Sequence, residues 1–453
     1  MSEIKSITVQ GTAINVKDET ARTNLASEIS RATDAEGVLD GKIDAEETRA
    51  KNKENSLENS INANTANINY LLSLNTCTGI KWSRSAITKQ ITYVGGDTLK
   101  TNMMNWIDNS AKPCEVKKDM TGFNYLLNTA GVASSTNWTK LSDGSTSSHY
   151  NSSDKADYLQ MVELQNVNVR FIENVDADES MVLFNFDTIC PVGFHRWFPE
   201  PTKLFARYDS TKNGSDSSRL DVMLGAKWTD ENSVSVMHSM NTATNANILE
   251  WTGWEIAVLG WLMAYKYGTF DLQSALGVGL AYGSKEAAEA FTNGLTDSLT
   301  IAHGKVATGS NNNEAIRFMY IENPYGLRWI WGAGVRGEKT AGYFTYDDLK
   351  ANKAALMALT DADETFTISS TSSTYAKNVN ALGVLTELGG SSSSGFYDGN
   401  WSNITVGERI LYCGGSSYHG SLGGPFARGL TDDVTTSAWN LRSRCGVRKS
   451  EVS

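Results

Sequence analysis

The 453-residue chain contains residues capable of chemistry, but their spacing assembles no catalytic motif. Gly332, Gly334 and Gly337 satisfy a GxGxxG pattern, which cradles a dinucleotide only where a strand precedes it and an amphipathic helix comes after. The next residues are Glu338-Lys339-Thr340-Ala341-Gly342-Tyr343, which form no such helix, so these read as turn glycines. The five histidines, at 149, 195, 238, 303 and 419, include no HExxH and no pair at metal-ligand spacing. Cys77, Cys114, Cys190, Cys413 and Cys445 form no CxxC pair. Cys413 and Cys445 bracket the C-terminal segment; a disulfide and two free thiols both fit that spacing, and a reducing cytoplasm favours the thiols. No GxSxG elbow or P-loop occurs, and a carboxylate pair for glycoside hydrolysis cannot be chosen among many acids without geometry. The sequence therefore predicts a protein that is not an enzyme, with no catalytic residue, metal or cofactor.

The elements that would position a binding site are more legible. All 12 Trp and all 14 Phe lie after residue 81, whereas the first 81 residues hold one aromatic, Tyr70. Two physically different objects share one chain. The net charge of −11 argues against non-specific nucleic-acid binding, which needs Lys and Arg to neutralise phosphates. The N-terminal residues Met1 to Ser6 contain no apolar stretch of a signal peptide. The longest strongly apolar run, Ile256 to Ala264, has 9 residues, against the ~20 of a membrane span. No membrane insertion is expected.

Residues 1–16 alternate apolar and polar around Gly11-Thr12 and read as a small hairpin, after which Asp18 offers a helix N-cap. From Leu25 onward apolar residues step at helical spacing: Ile29, Ala32, Leu39, Ile43, Ala50, Leu57, Ile61, Ile68, Leu71. Arg31-Ala32, Glu36, Leu39 and Ile43 recur 18 residues later as Arg49-Ala50, Glu54, Leu57 and Ile61. Eighteen residues make five turns, so the stripe stays on one face and supercoils little. It is too narrow for a globular core and wide enough to seam with copies of itself, which predicts a parallel homo-oligomeric stalk; the seam does not fix the strand number, and a homotrimer is the expectation.

Beyond Asn75 short strand-like runs appear at 90–94, 167–172 and 181–186, then at 316–321, 327–331 and 342–344. Ser/Asn/Thr-rich loops separate them, notably at 134–153, and the Gly389 to Gly395 tract reads as a flexible surface loop. A helix is predicted from Leu249 to Tyr267, stopped by Gly268, with Trp251, Trp254, Val258, Trp261, Leu262 and Tyr265 on one face. Such an aromatic stripe reads as core.

Three stretches carry a resemblance. Glu250-Trp251-Thr252-Gly253-Trp254-Glu255 resembles the first helix of the formylglycine-generating-enzyme-like branch of the C-type-lectin fold, and Tyr325 to Gly332 resembles its central strand. Gly414-Gly415-Ser416, Gly420, Gly424-Pro425-Phe426, Leu430, Ser437 and Trp439 to Arg444 resemble the frame that holds diversified positions in retroelement-diversified variable proteins of the major-tropism-determinant type. In phages those are receptor-binding tail proteins. Adenine-directed diversification turns AAY codons into NNY, which cannot encode Trp, Met, Gln, Lys or Glu; residues 413–438 contain none of the five. Glu322-Asn323-Pro324 and Trp439-Asn440-Leu441 depart from the EPN, QPD and WND strings of calcium-dependent lectins, so calcium-mediated sugar binding is not carried over. Nor is oxidation chemistry, since Cys413 and Cys445 flank the frame.

The resemblance implies an α+β protein with an N-terminal attachment hairpin (1–20), a coiled-coil stalk (21–75), a β-rich intermediate region (76–160) and a C-type-lectin-like head (161–453) with a diversified loop near 413–448. It places a ligand-binding surface at Ser417, Tyr418, His419, Ser421, Leu422, Ala427, Arg428, Gly429, Asp432 and Asp433. The expected function is attachment of a virion tail fibre to a bacterial surface receptor, protein or glycan, with the N-terminus held by other virion proteins. A tailspike-like polysaccharide-degrading enzyme and a purely structural fibre or baseplate component are the alternatives.

Overall fold

The structure, a computed structural model, describes residues 6–10, 12–15, 19–73, 76–117, 125–127, 140–141, 158–173, 178–198, 202–212, 220–221, 248–309, 312–338, 343–345, 371–402, 409–432 and 436–447. The chain forms two compact units, Met1–Ser73 and Leu74–Ser453. Antiparallel sheets dominate and helices are few, a mixed and β-rich architecture. Among the described residues no helix is long and apolar enough to cross a membrane.

The first unit is a hairpin and one helix. Ser6–Val9 pairs antiparallel with Thr12–Asn15, and Gln10 takes a positive φ of 45° in the turn. Helix α1, Glu19–Ser73, runs 55 residues, about 80 Å at 1.5 Å per residue. Asp18, the predicted cap, lies outside the described residues. The 18-residue repeat is also electrostatic: Arg31 pairs with Glu28 and Arg49 with Glu46 at the equivalent positions. Ile29, Leu39, Ile43 and Leu57 of the stripe are each more than half exposed on the single chain.

In the second unit, a five-stranded antiparallel sheet orders His195–Arg196, Asn168–Ile172, Glu179–Asn185, Thr78–Ser83 and Thr92–Val94. A seven-stranded antiparallel sheet orders Ile248–Glu250, Cys445–Val447, Thr202–Ala206, Tyr158–Gln165, Ala111–Lys117, Tyr125–Leu127 and Lys140–Leu141. Region 76–160 is therefore not separable from the residues after it, because Ala111–Lys117 pairs with Tyr158–Gln165 and Thr78–Ser83 with Glu179–Asn185. A third, mixed sheet carries Tyr343–Thr345, Trp329–Glu338, Arg409–Cys413, Arg428–Leu430, Gly399–Ser402, Thr371–Val379 and Leu385–Leu388, with Leu441–Arg442 joining Trp329–Glu338 in parallel. Helix α2, Asp97–Asn109, buries Met103 and Ile107.

Helix α3, Gly253–Tyr267, is the hub. It starts four residues later than the periodicity predicts, because Ile248–Glu250 is a strand and Thr252 closes a capping box with Glu255. Glu255 also pairs with buried Lys203. Gly268 ends the helix at φ 66°, as predicted. Trp261 stacks on Trp82 at 5.5 Å and meets Phe426 at 4.7 Å, and its Nε1 donates to Ala381 O at 2.8 Å. The aromatic stripe is core, as expected.

Other expectations change in detail. The run 316–321 splits into Glu314–Phe318 and Ile321–Glu322, since Met319 and Tyr320 both take positive φ. Gly332, Gly334 and Gly337 lie on strand Trp329–Glu338, not in a turn. The Gly389 to Gly395 tract lies at the surface at Gly389, Ser392 and Ser393, while its end is anchored, with Ser394 and Gly395 buried and Gly395 N donating to Ile87 O at 2.7 Å. All five cysteines are free; Cys413 packs with Leu411 and Phe426, while Cys445 lies in a separate cluster with Leu204 and Val447. The 134–153 run, apart from Lys140–Leu141, lies outside the described residues.

Candidate functional site

The glycine, proline and arginine residues of the C-terminal frame build a scaffold beneath one short turn. Phe426 is fully buried against Trp261, and Gly260 of α3 leaves only 3.4 Å between a would-be Cβ and the Phe426 ring. Arg442 and Arg444 are buried and share Asp209: Arg444 Nη2 donates to Oδ1 at 2.6 Å and Arg442 to Oδ2. Both also donate to Asn323 O, at 2.8 and 3.0 Å, which ties Leu441–Arg442 and Cys445–Val447 to the interior of the second unit. Burial alone would raise the Asp209 pKa, and the two guanidiniums overcome it and hold it below the ordinary value. Glu322, in the string nearest a calcium-lectin triplet, is buried and accepts from Gly294 N, Thr296 N and Thr296 Oγ1.

Strand Arg409–Cys413 delivers the chain into Gly414 and Gly415, both at positive φ. Gly415 is required twice, by its φ of 75° and by a would-be Cβ only 2.6 Å from Gly423 Cα, a contact that pinches residues 416–422 into a closed turn. Inside it Ser416 N donates to His419 Nδ1 at 3.0 Å, His419 N to Ser416 O at 3.0 Å, and Leu422 N to His419 O at 3.0 Å. Gly420 N donates to Ala281 O at 2.9 Å, and Gln273 Nε2 reaches Gly420 O at 2.9 Å and Gly423 O. The turn is held from every side by main-chain bonds.

An aromatic ladder runs from the core to this turn. Trp329 meets Trp401 at 5.1 Å, Tyr412 at 4.8 Å and His419 at 5.0 Å; His419 meets Tyr418 at 4.2 Å, and Tyr418 meets Trp439 at 5.6 Å. Trp329 is buried and Tyr418 is 54% exposed. Burial pushes the His419 pKa down to about 4, so the ring is neutral at pH 7. Because Nδ1 accepts from Ser416 N, the proton sits on Nε2. Burial raises the Tyr418 pKa, and the carboxylate of Asp432 raises it further.

The ten predicted surface residues divide sharply. Tyr418 is exposed, and His419, Ser421, Leu422 and Asp432 are half-buried around the turn. Ser421 Oγ is 2.9 Å from Tyr375 Oη. Ser417 is buried, its N–H donating to Leu327 O at 3.0 Å. Ala427 and Gly429 are buried, and a Cβ on Gly429 would enter the Tyr412 ring. Arg428 is buried as well, donating from Nε to Leu382 O at 2.9 Å and from Nη1 to Pro425 O at 2.7 Å and Ala427 O at 2.9 Å. All four are buried; Arg428 and Gly429 are so because strand Arg428–Leu430 lies inside the mixed sheet between Arg409–Cys413 and Gly399–Ser402. Asp433 lies outside the described residues.

An open cleft of ≈570 Å³ flanks the turn, lined by residues 281–283, Asn312 and residues 418–421. That volume is within the roughly 300–1,000 Å³ of small-ligand sites. Sequence reasoning missed Tyr282 and Asn312, which sit in loops without periodicity, over 100 residues before the frame in the chain. Among the described residues no group of three or more His, Cys, Asp or Glu gathers to hold a metal.

No protein-family model matches the chain, and no curated protein matches it. Among solved structures, the chain is similar to the Major Tropism Determinant U1 variant. The two share 11% identity at a TM-score of 0.28, over 75% of this chain and 72% of that one. A likeness of that size does not establish a shared fold.

Proposed function

We propose that the protein is a virion tail-fibre receptor-binding protein, which attaches the particle to a bacterial surface receptor through residues 416–422 and their surroundings. The observation that carries this reading is an exposed tyrosine turn standing on a fully buried frame: Tyr418 is open to solvent while Ser416, Ser417, Phe426 and Arg428 beneath it are not. Rigid scaffolds that present a few loop side chains suit recognition, since those side chains can change without unfolding the core. The motif Gly414-Gly415-Ser416 to Arg444 supports a lectin-like head of the retroelement-diversified kind, in which the displayed positions vary and the buried ones do not. The uncovered apolar stripe of α1 supports a stalk of parallel copies, a homotrimer, and the hairpin at 6–15 is its point of attachment to the virion. Several heads on one stalk would raise a weak single-site affinity through avidity. The site acts by binding, without catalysis.

Adsorption of the purified chain to host cells, with and without Tyr418→Ala, tests the reading. Wild-type binding that the variant loses supports it; equal binding by both, or shortened host polysaccharide after incubation, overturns it.

A further inference from the structure

The cleft beside the turn has a composition that selects among receptor chemistries, an inference that rests on the receptor-binding reading above. None of its lining residues is Asp, Glu, Lys or Arg, and His419 is neutral. Two tyrosines line it. Tyr282 is clamped through its main chain by Asn313, with N to Oδ1 at 2.8 Å and Nδ2 to Tyr282 O, and its ring lies against Gly420. Tyr418 is backed by His419, and its hydroxyl accepts from Asn440 Nδ2 at 3.1 Å. Both rings are 37% or more exposed and held in place, so little side-chain freedom is lost when a ligand covers them. The remaining polar side chains, Ser421 and Asn312, are uncharged hydrogen-bonding groups.

The turn's main chain is already engaged. Gly420 N, His419 O and Gly420 O are committed to Ala281, Leu422, Gly423 and Gln273. An extended peptide seeking a strand edge would find none here. An anion would meet no cation in the lining to offset the loss of its hydration.

We propose that this cleft binds a neutral oligosaccharide segment of the receptor, with sugar C–H faces laid on Tyr282 and Tyr418 and hydroxyls bonded to Ser421, Asn312 and His419. A pyranose is amphipathic in the way the lining is: its apolar face can leave water against a ring while its hydroxyls find neutral donors and acceptors. No calcium is needed.

The test uses the full chain and tryptophan fluorescence, since the Trp439 ring lies 5.6 Å from that of Tyr418, together with saturation-transfer NMR. The probes are neutral hexose and N-acetylhexosamine oligosaccharides, carboxylated polysaccharides and uncharged peptides. Neutral oligosaccharides are expected to bind, unaffected by a calcium chelator. Tyr282→Ala and Tyr418→Ala should each weaken binding roughly 10- to 30-fold, as loss of an aromatic anchor does. Tyr418→Phe, which keeps the ring, should stay within about threefold. Cells bound in a Tyr418-dependent way, with no neutral oligosaccharide bound or with an anionic or peptide probe preferred, would overturn the glycan assignment and leave the receptor reading standing. Failure to bind cells at all would remove both.

Discussion

Arg428 offers the most direct test of which residues are scaffold and which are display. Its guanidinium makes three bonds to carbonyls of Leu382, Pro425 and Ala427 at 2.7–2.9 Å, with the side chain fully buried. In Arg428→Ala, Ala427 O keeps the Gly414 N–H at 3.0 Å, whereas Leu382 O and Pro425 O lose this donor. Losing the partner of a buried carbonyl costs about 1–3 kcal/mol each. Relief of the arginine's own burial cost offsets part of that. The net expectation is a loss of about 3 kcal/mol, which at ~2 °C per kcal/mol for a large unit lowers Tm by about 6 °C. Tyr418→Ala instead gives up two ring contacts at a half-exposed position, about 1 kcal/mol and about 2 °C. Scanning calorimetry at one fixed protein concentration, run beside cell adsorption, separates the two. If Arg428→Ala kept the wild-type Tm and abolished adsorption, the side chain would be a displayed contact and the buried-frame argument would be wrong.

The same geometry sets three further outcomes. Leu39→Asp with Leu57→Asp puts two carboxylates on the α1 stripe and should reduce a multi-chain assembly to single chains in sedimentation at neutral pH. His419 and His303 both have pKa values lowered to about 4, from an ordinary 6.5, chiefly by burial. The unfolded chain therefore binds more protons in that interval, so stability is full above pH 6.5 and falls as pH drops toward 4; His419→Asn should flatten that slope without removing the His303 share. Asp209→Asn leaves Arg442 and Arg444 without their shared carboxylate and should cost about 3–5 kcal/mol in denaturant unfolding, detected as a lower midpoint at unchanged m.

What the sequence revealed depended on how local the cause was. The 3.6 period of Ile29, Leu39, Ile43 and Leu57 is set by one helix and was readable, as were Gly268 as a stop and the core role of Trp254 and Trp261. The glycine frame from Gly414 to Gly424 was legible through the resemblance, and the positive φ angles at Gly414, Gly415 and Gly420 give the physical reason for glycine at those three positions. Burial of Arg428 and Ser417 was not, because it comes from partners 46 and 133 residues away, Leu382 and Ser284. An arginine between small residues in a Gly-rich stretch carries no local sign of being inside a sheet. Tyr282 and Asn312 escaped for the same reason, as they reach the site only through tertiary placement.

The separation of frame and display also limits how recognition at this site could change. Tyr418 has a ring open to solvent and hydroxyl bonds only to the side chains of Asn440 and Ser416, so most replacements there leave the turn's main-chain bonds intact. Ser421 is half-buried with a side-chain bond to Tyr375, and Asp432 is half-buried with side-chain bonds to Thr431 and Tyr412. His419 is different. Its ring is wedged against Trp329 and Trp401, and its Nδ1 anchors Ser416 N, so it serves the scaffold and the cleft at once. A replacement at 419 must keep both the acceptor and the ring contacts or loosen the turn that carries its neighbours. Diversification that preserves folding should therefore appear first at 418, 421 and 432, and reach 419 only with residues that can accept from Ser416 N, while Ser417, Ala427, Arg428 and Gly429 stay fixed. Sequencing isolates with altered host range checks this directly: substitutions concentrated at the four buried positions would contradict it.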